Sequence, residues 1–312
     1  MHLKPSENLQ LYGMDNFFNE IVKLYNEKKM PTKILLSGKK GLGKSTLAYH
    51  LINYFLSNGE DFKYDSNEFI INENNRSFKL LSNNSHPNFY LIDLLNEKKN
   101  IDVGQIREMI TYTNKSTFNN RARFILIDNI ENLNKNSVNA LLKIIEEPNE
   151  NVFFILVNNS EKNILPTLKS RCLLFRINFS FNESSNISNQ ILGENIFDLI
   201  NHDLINYYNT PGEIVNLINF SKGKNIDLKD YTLVNFLNLL IDNGYYKKDK
   251  LVKTLLTNFI ELFFLKEYKL STAKRSILYH YHNFIMKVHN TEKYNLDEES
   301  LFLEFKSKLL NG

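Results

Sequence analysis

Apolar residues along the 312-residue chain follow two rhythms. Short unbroken apolar runs stand at Ile34–Leu36, Phe89–Ile92, Phe124–Ile127 and Val152–Val157, the pattern of strands buried on both faces. Between them the spacing turns helical. Residues 17–30 set Phe17, Phe18, Ile21, Val22 and Leu24 on one face, with Pro31 expected to stop the helix. Residues 101–112 place Ile101, Val103, Ile106, Met109 and Ile110 inward, and a further helix is expected over about 135–146. The Asn-rich stretch 57–88 reads as irregular. Strands alternating with helices of this length predict an α/β fold with a central parallel sheet covered on both faces.

After about residue 178 the pattern changes. SFNESSNISN reads as a polar connection, and from 187 onward nearly every apolar stripe is helical, as in LVNFLNLLI, LVKTLLTNFIELFFL, ILYHYHNFIMKV and SLFLEFKSKLL. Three parts are expected: 1–178 as the α/β module, 179–222 as a small helical lid, and 223–312 as an all-α bundle. No fixed-period repeat is visible.

Hydrophobic residues make up 42% and charged residues 23%, enough to bury a core. A net charge of +3 is too small to mark a nucleic-acid binder by bulk electrostatics. Apolar runs fall far short of the roughly 18 residues that cross a bilayer. The opening MHLKPSENLQ has no apolar core behind its lysine, so no secretory signal is expected. Cys172 is the single cysteine, which excludes a disulfide framework and a four-cysteine zinc site. These features together predict a cytoplasmic protein with no membrane partner.

Candidate chemistry begins where the first strand ends. Gly38-Lys39-Lys40-Gly41-Leu42-Gly43-Lys44-Ser45 satisfies G-x-x-x-x-G-K-[ST] between a strand and an amphipathic helix. Glycines let backbone N–H groups curl round phosphate oxygens, Lys44 reaches the terminal phosphates, and Ser45 offers a hydroxyl to magnesium. The nucleotide set expected here is Gly38, Gly41, Gly43, Lys44, Ser45 and Thr46. A glycine turn with no ligand is the plainer reading, and the strand–loop–helix context weighs against it.

Asp128, at the end of the Phe124–Ile127 run, is the second expected magnesium-side group beside Ser45. Its plainer role is to cap the next turn. Asn129 follows, where a hydrolytic site needs a carboxylate. An amide orients water but cannot take its proton. Glu131 would have to turn back to substitute, so hydrolysis is expected to be impaired.

The order of motifs resembles the AAA+ module of clamp-loader subunits, and within that group the delta-prime family of bacterial DNA polymerase III. The resemblance rests on the glycine loop, on Asn139-Ala140-Leu141-Leu142-Lys143-Ile144-Ile145-Glu146-Glu147-Pro148, and on Ser170-Arg171-Cys172. Weaker agreements are His86-Pro87, Ile101-Asp102-Val103, Gln105-Ile106-Arg107 and Asn295-Leu296-Asp297. It implies an AAA+ module, a helical lid and a helical collar that assembles with other subunits. The implied partners are gamma/tau-type motor and delta subunits in a hetero-pentamer, a sliding clamp, and primed DNA reached through the assembly. Asn159 then stands where the family keeps a polar phosphate sensor, and Arg171 where an arginine acts in trans on a neighbour's ATP. The plainer readings are a loop asparagine and a surface ion pair.

Departures from the family pattern refine the expectation. Members commonly carry a four-cysteine zinc module after the glycine loop; this chain does not, so no zinc is implied. Motor subunits keep an acid after the Asp128 position and an arginine in the lid. Here those positions hold Asn129 and Thr210-Pro211-Gly212-Glu213. The resemblance therefore implies a non-motor subunit that holds ATP and magnesium weakly or statically. Two rivals remain, a self-sufficient motor using Glu131 and a nucleoside kinase. His280 and His282, two apart on a helix, point to different sides and are not expected to bind metal.

Overall fold

The computed structural model describes residues 4–310, apart from 96–97, 116–120, 148, 160–163, 248 and 295. Pro148 and Asn295, both part of the resemblance, thus lie outside the described residues.

The apolar runs form strands because each is shielded on two sides. Five parallel strands, β1 (Lys33–Ser37), β2 (Phe89–Ile92), β3 (Arg123–Ile127), β4 (Val152–Asn158) and β5 (Leu173–Arg176), make one sheet in the order β2-β3-β4-β1-β5. Neighbouring residues of one strand feed opposite cores. Ile34, Leu36, Phe124, Leu126, Ile155 and Val157 pack on one face with Phe18, Leu47, Leu51 and Phe55. Leu35, Ile125, Ile127, Phe154 and Leu156 pack on the other with Ile106, Met109, Leu141 and Ile145. A period of two with both phases apolar is what a central parallel strand requires. Phe124 anchors the first core between Phe55 and Phe153, its ring stacked at 5.1 and 5.5 Å from theirs.

The covering helices are α1 (Asp15–Asn26), α2 (Lys44–Leu56), α3 (Arg76–Ser82), α4 (Val103–Thr113), α5 (Lys135–Glu146), α6 (Pro166–Lys169) and α7 (Phe181–Leu192). α1 ends ahead of Pro31, its chain turning at Lys28 with φ 56°.

Three features differ from the sequence reading. The stretch 57–88 is not all irregular: α3 starts at Asn75, whose side chain accepts the Phe78 N–H at 2.6 Å, while Ser77 is buried against Glu60. SFNESSNISN is not a connection, because it forms α7 and buries Ser184, Ser185, Ile187 and Ser188. A fifth strand, β5, adds to the sheet beside β1.

Contacts divide the chain into two compact units. The first is Met1–Ile191 with Thr210–Gly212, and the second is Leu192–Asn209 with Glu213–Gly312. The helices from α8 (Pro211–Lys224) onward are α9 (Leu233–Asp242), α10 (Lys250–Leu270), α11 (Lys274–Tyr294) and α12 (Glu298–Phe305). The second unit is helical, and its core gathers Phe263, Phe264, Phe284 and Phe305, with Phe305 edge to face with Phe263 and Phe264 and tilted against Phe284. Among the described residues, no helix is long and apolar enough to cross a membrane. A central parallel sheet covered by helices and followed by helical parts is the architecture that the sequence predicts.

Candidate functional site at the sheet's carboxyl edge

β1 runs straight into the glycine loop, and α2 leaves it at Lys44. Gly41 and Gly43 take φ of 84° and 85°, a backbone that residues with a Cβ rarely adopt. Gly38 is required for space instead, since a Cβ there would lie 2.3 Å from the Ile177 carbonyl oxygen. Lys44 is only 2% exposed, and its Nζ donates to the Lys39 carbonyl at 2.6 Å, inside the loop. The Ser45 hydroxyl donates to Asp128 Oδ2 at 2.5 Å, which joins the loop to the end of β3. Thr46 accepts a 3.3 Å hydrogen bond from Asn8 Nδ2, in the chain's own N-terminal segment.

Asp128 is partly reachable by solvent, yet its carboxyl oxygens face Ser45 and the Asn129 N–H. Desolvation, aided by the charge of Asp93, pushes its pKa up to about 6 against the opposing hydrogen bonds and Lys44.

Asp93 is the residue that sequence reasoning missed. β2 and β3 pair in parallel with Ile92 beside Ile127, so each strand delivers an aspartate just past its last residue. The signal was present: Phe89-Tyr-Leu-Ile-Asp93 repeats the pattern of Phe124-Ile-Leu-Ile-Asp128.

Asn129 links the strand ends. Its Nδ2 donates to Asp93 Oδ1 at 2.6 Å, and its Oδ1 accepts from Asn159 Nδ2 at 2.7 Å. A carboxylate only accepts, so the amide has one orientation that satisfies both neighbours. Asn129 also adopts φ 54°, a left-handed conformation that asparagine tolerates. Asn159, 9% exposed, donates its backbone N–H to Glu131 Oε2 at 3.2 Å. The row Asp93–Asn129–Asn159–Glu131 therefore spans β2, β3 and β4 with side-chain amides at its centre.

Arg171 bonds to Thr167 and Glu146 rather than to this cluster. It lies between α6 and β5, where one guanidinium nitrogen donates to the Thr167 carbonyl at 2.9 Å and the other pairs with Glu146 at 2.8 Å. Its side chain is 37% exposed and that of Glu146 52%, so the pair is a surface one. Cys172 beside it is half-buried, and burial pushes its thiol up to about 11.

The oxygen donors Ser45 and Asp128 suit magnesium, and the left-handed glycines with a buried lysine suit phosphate. Fold and site together define a P-loop α/β module. Residues 13–180 match the family described as DNA polymerase III, delta subunit, and the chain belongs to that family. It is 33% identical over 161 residues to DNA polymerase III subunit delta-prime of Buchnera aphidicola subsp. Schizaphis graminum, covering 51% of this chain and 47% of the relative. To the delta-prime subunit of Escherichia coli it is 26% identical over 157 residues, 50% of this chain and 45% of that protein. The chain spans about half the length of the curated relatives it matches. Among solved structures, a DNA polymerase III gamma subunit-related protein from Thermotoga maritima is similar with a TM-score of 0.47 and 18% identity, over 94% of this chain and 91% of that one.

Proposed function

We propose that this chain is a non-motor subunit of a clamp loader. It would support assembly with gamma/tau-type and delta subunits in a hetero-pentamer and present Arg171 to a neighbour's ATP while a sliding clamp is loaded onto primed DNA. The observation that carries this reading is the two-sided bonding of Asn129 to Asp93 and Asn159. The position where hydrolysis needs a proton acceptor holds an amide that already has two partners. Glu131 is a poor substitute, because Oε2 is bound to the Asn159 N–H and the residue is buried.

Gly38, Gly41, Gly43, Lys44, Ser45 and Thr46 would hold a nucleotide's phosphates, with Ser45 and Asp128 turned to magnesium. The metal would supply charge neutralisation at the phosphates. Arg171 supports the reading from its own position. An exposed ion pair is worth about 0–1 kcal/mol, so Glu146 can give up the guanidinium at little cost.

Steady-state ATP turnover of the purified chain is the test. Turnover at background is expected. A rate on the order of 1 s⁻¹, the low end for phosphoryl-transfer enzymes, would overturn the non-motor reading in favour of a motor working through Glu131. Loss of that rate in Glu131→Gln would identify the base.

A further inference from the structure

We infer that Thr210 and Gly212 are positioning residues of the phosphate loop, forming a strap that fixes the direction of its backbone N–H groups. The inference rests on the reading that this loop takes nucleotide phosphate. In sequence terms Thr210-Pro211-Gly212 is only the place where a motor's arginine is missing. In the structure it belongs to the first unit and is bonded to the loop itself.

Two bonds make the strap. The Thr210 hydroxyl donates to the Lys40 carbonyl at 3.0 Å. The Gly212 N–H donates to the Gly41 carbonyl at 2.9 Å. Both acceptors are carbonyls of successive peptide units. In a trans peptide the C=O and N–H point opposite ways. Pinning the Lys40 and Gly41 carbonyls toward the strap therefore turns the Gly41 and Leu42 N–H groups away from it. With Gly41 and Gly43 left-handed, successive N–H groups can converge on one anion.

Close approach is built into the strap's composition. A Cβ on Gly212 would lie 2.8 Å from Gly41 Cα and 2.9 Å from its oxygen, both backbone atoms that cannot swing aside. Thr210 is 3% exposed, so its hydroxyl bond is shielded from competing water. Pro211 fixes φ between the two donors and brings no N–H of its own.

The test uses the full chain and three variants, Thr210→Val, Thr210→Ser and Gly212→Ala, with folding checked by circular dichroism. The first readout is hydrogen–deuterium exchange of the segment 38–46 without nucleotide. The second is the Kd for ATP in magnesium chloride by calorimetry. Thr210→Val should speed loop exchange and weaken ATP binding by about five- to tenfold, the effect of one lost hydrogen bond. Gly212→Ala should do at least as much, and Thr210→Ser should stay within about twofold of wild type because it keeps the hydroxyl. Wild-type exchange in folded Thr210→Val would overturn the inference, and that variant decides the matter if Gly212→Ala does not fold. Absence of ATP binding by the wild type would instead overturn the nucleotide reading, while the exchange data still decide the strap.

Discussion

Asn129 meets three local demands that few residues meet together. It must accept φ 54°, donate to a carboxylate and accept from an amide. Aspartate meets the first demand, so Asn129→Asp isolates the other two. The substitution removes the donor to Asp93 and sets a third carboxylate beside Asp93 and Asp128. A loss of about 1–3 kcal/mol in urea unfolding at pH 7 is expected. It should not create ATP turnover, since the new acid sits against another acid. An undiminished stability would show that the amide row is incidental.

His50 offers a pH test away from the loop. Its Nε2 is 3.2 Å from the Asn8 carbonyl, which only accepts, so Nδ1 accepts from the Tyr64 hydroxyl 3.0 Å away. Burial lowers its pKa from 6.5 to about 4. Between those values the unfolded chain binds the extra proton, so the His50 contribution is complete above about pH 6.5 and is lost as pH falls toward 4. Asp128, raised to about 6 by burial, acts with the opposite sign in the overlapping window. The comparison must therefore be with His50→Gln, which leaves Asp128 in place. The stability advantage of wild type over that variant should shrink by about 3 kcal/mol at most between pH 7 and 4. An advantage that does not change with pH would rule out a neutral buried imidazole.

At the scale of elements, α4 shows one helix end specified by its own capping residues and the other from a neighbouring strand. Asp102 and Gln105 close a capping box at its start, with Asp102 accepting the Gln105 N–H at 3.2 Å and Gln105 the Asp102 N–H at 3.2 Å. These two residues were visible in the sequence only as family agreements, and their role is local hydrogen bonding. At the other end buried Arg123 of β3 donates to the carbonyls of Tyr112, Thr113 and Lys115, at 3.0, 3.3 and 2.6 Å. Arg123→Leu keeps bulk but strands those carbonyls, so a loss of about 2–3 kcal/mol is expected by denaturant unfolding. Arg123→Lys should recover part of it. Equal stability of the leucine variant would mean that water replaces the guanidinium.

The helices that sequence reading missed failed for a related reason. α7 buries Ser184, Ser185 and Ser188, and Ser188 satisfies its hydroxyl on the Ser184 carbonyl at 2.7 Å within the helix. Small polar side chains that pack this way carry no apolar stripe, so Ser- and Asn-rich sequence resembles a linker. α3 hides behind Asn75 in the same manner. β5 was missed because it is a short edge strand, with Leu173 and Arg176 exposed, and lacks the unbroken buried run of the inner strands.

For the molecule as a whole, the sheet, the glycine loop and the Ser45–Asp128 pair were legible because each follows from a pattern a few residues long. The amide row and the strap were not. Asp93, Asn129 and Asn159 meet only through strand register, and Thr210 meets Lys40 across 170 positions of chain. Contacts of that range leave no local periodicity. Arg171 is the reverse case. Its motif was legible, while its resting partner Glu146 became visible only in the folded chain.

The proposed role finally depends on what Arg171 does for a neighbour. A bidentate guanidinium facing a terminal phosphate is worth about 10³–10⁵ in rate in other phosphoryl-transfer systems, and lysine lacks the planar fork. The direct measurement is DNA- and clamp-stimulated ATP turnover of the assembly reconstituted with motor and delta subunits, with assembly confirmed by gel filtration. Arg171→Ala should fold and assemble, because it removes only a surface ion pair and one exposed hydrogen bond to the Thr167 carbonyl, yet lose most of the stimulated turnover, with Arg171→Lys recovering a part. Normal turnover by an intact Arg171→Ala assembly would contradict the trans-acting role and leave Arg171 with only its surface contacts to Glu146 and Thr167.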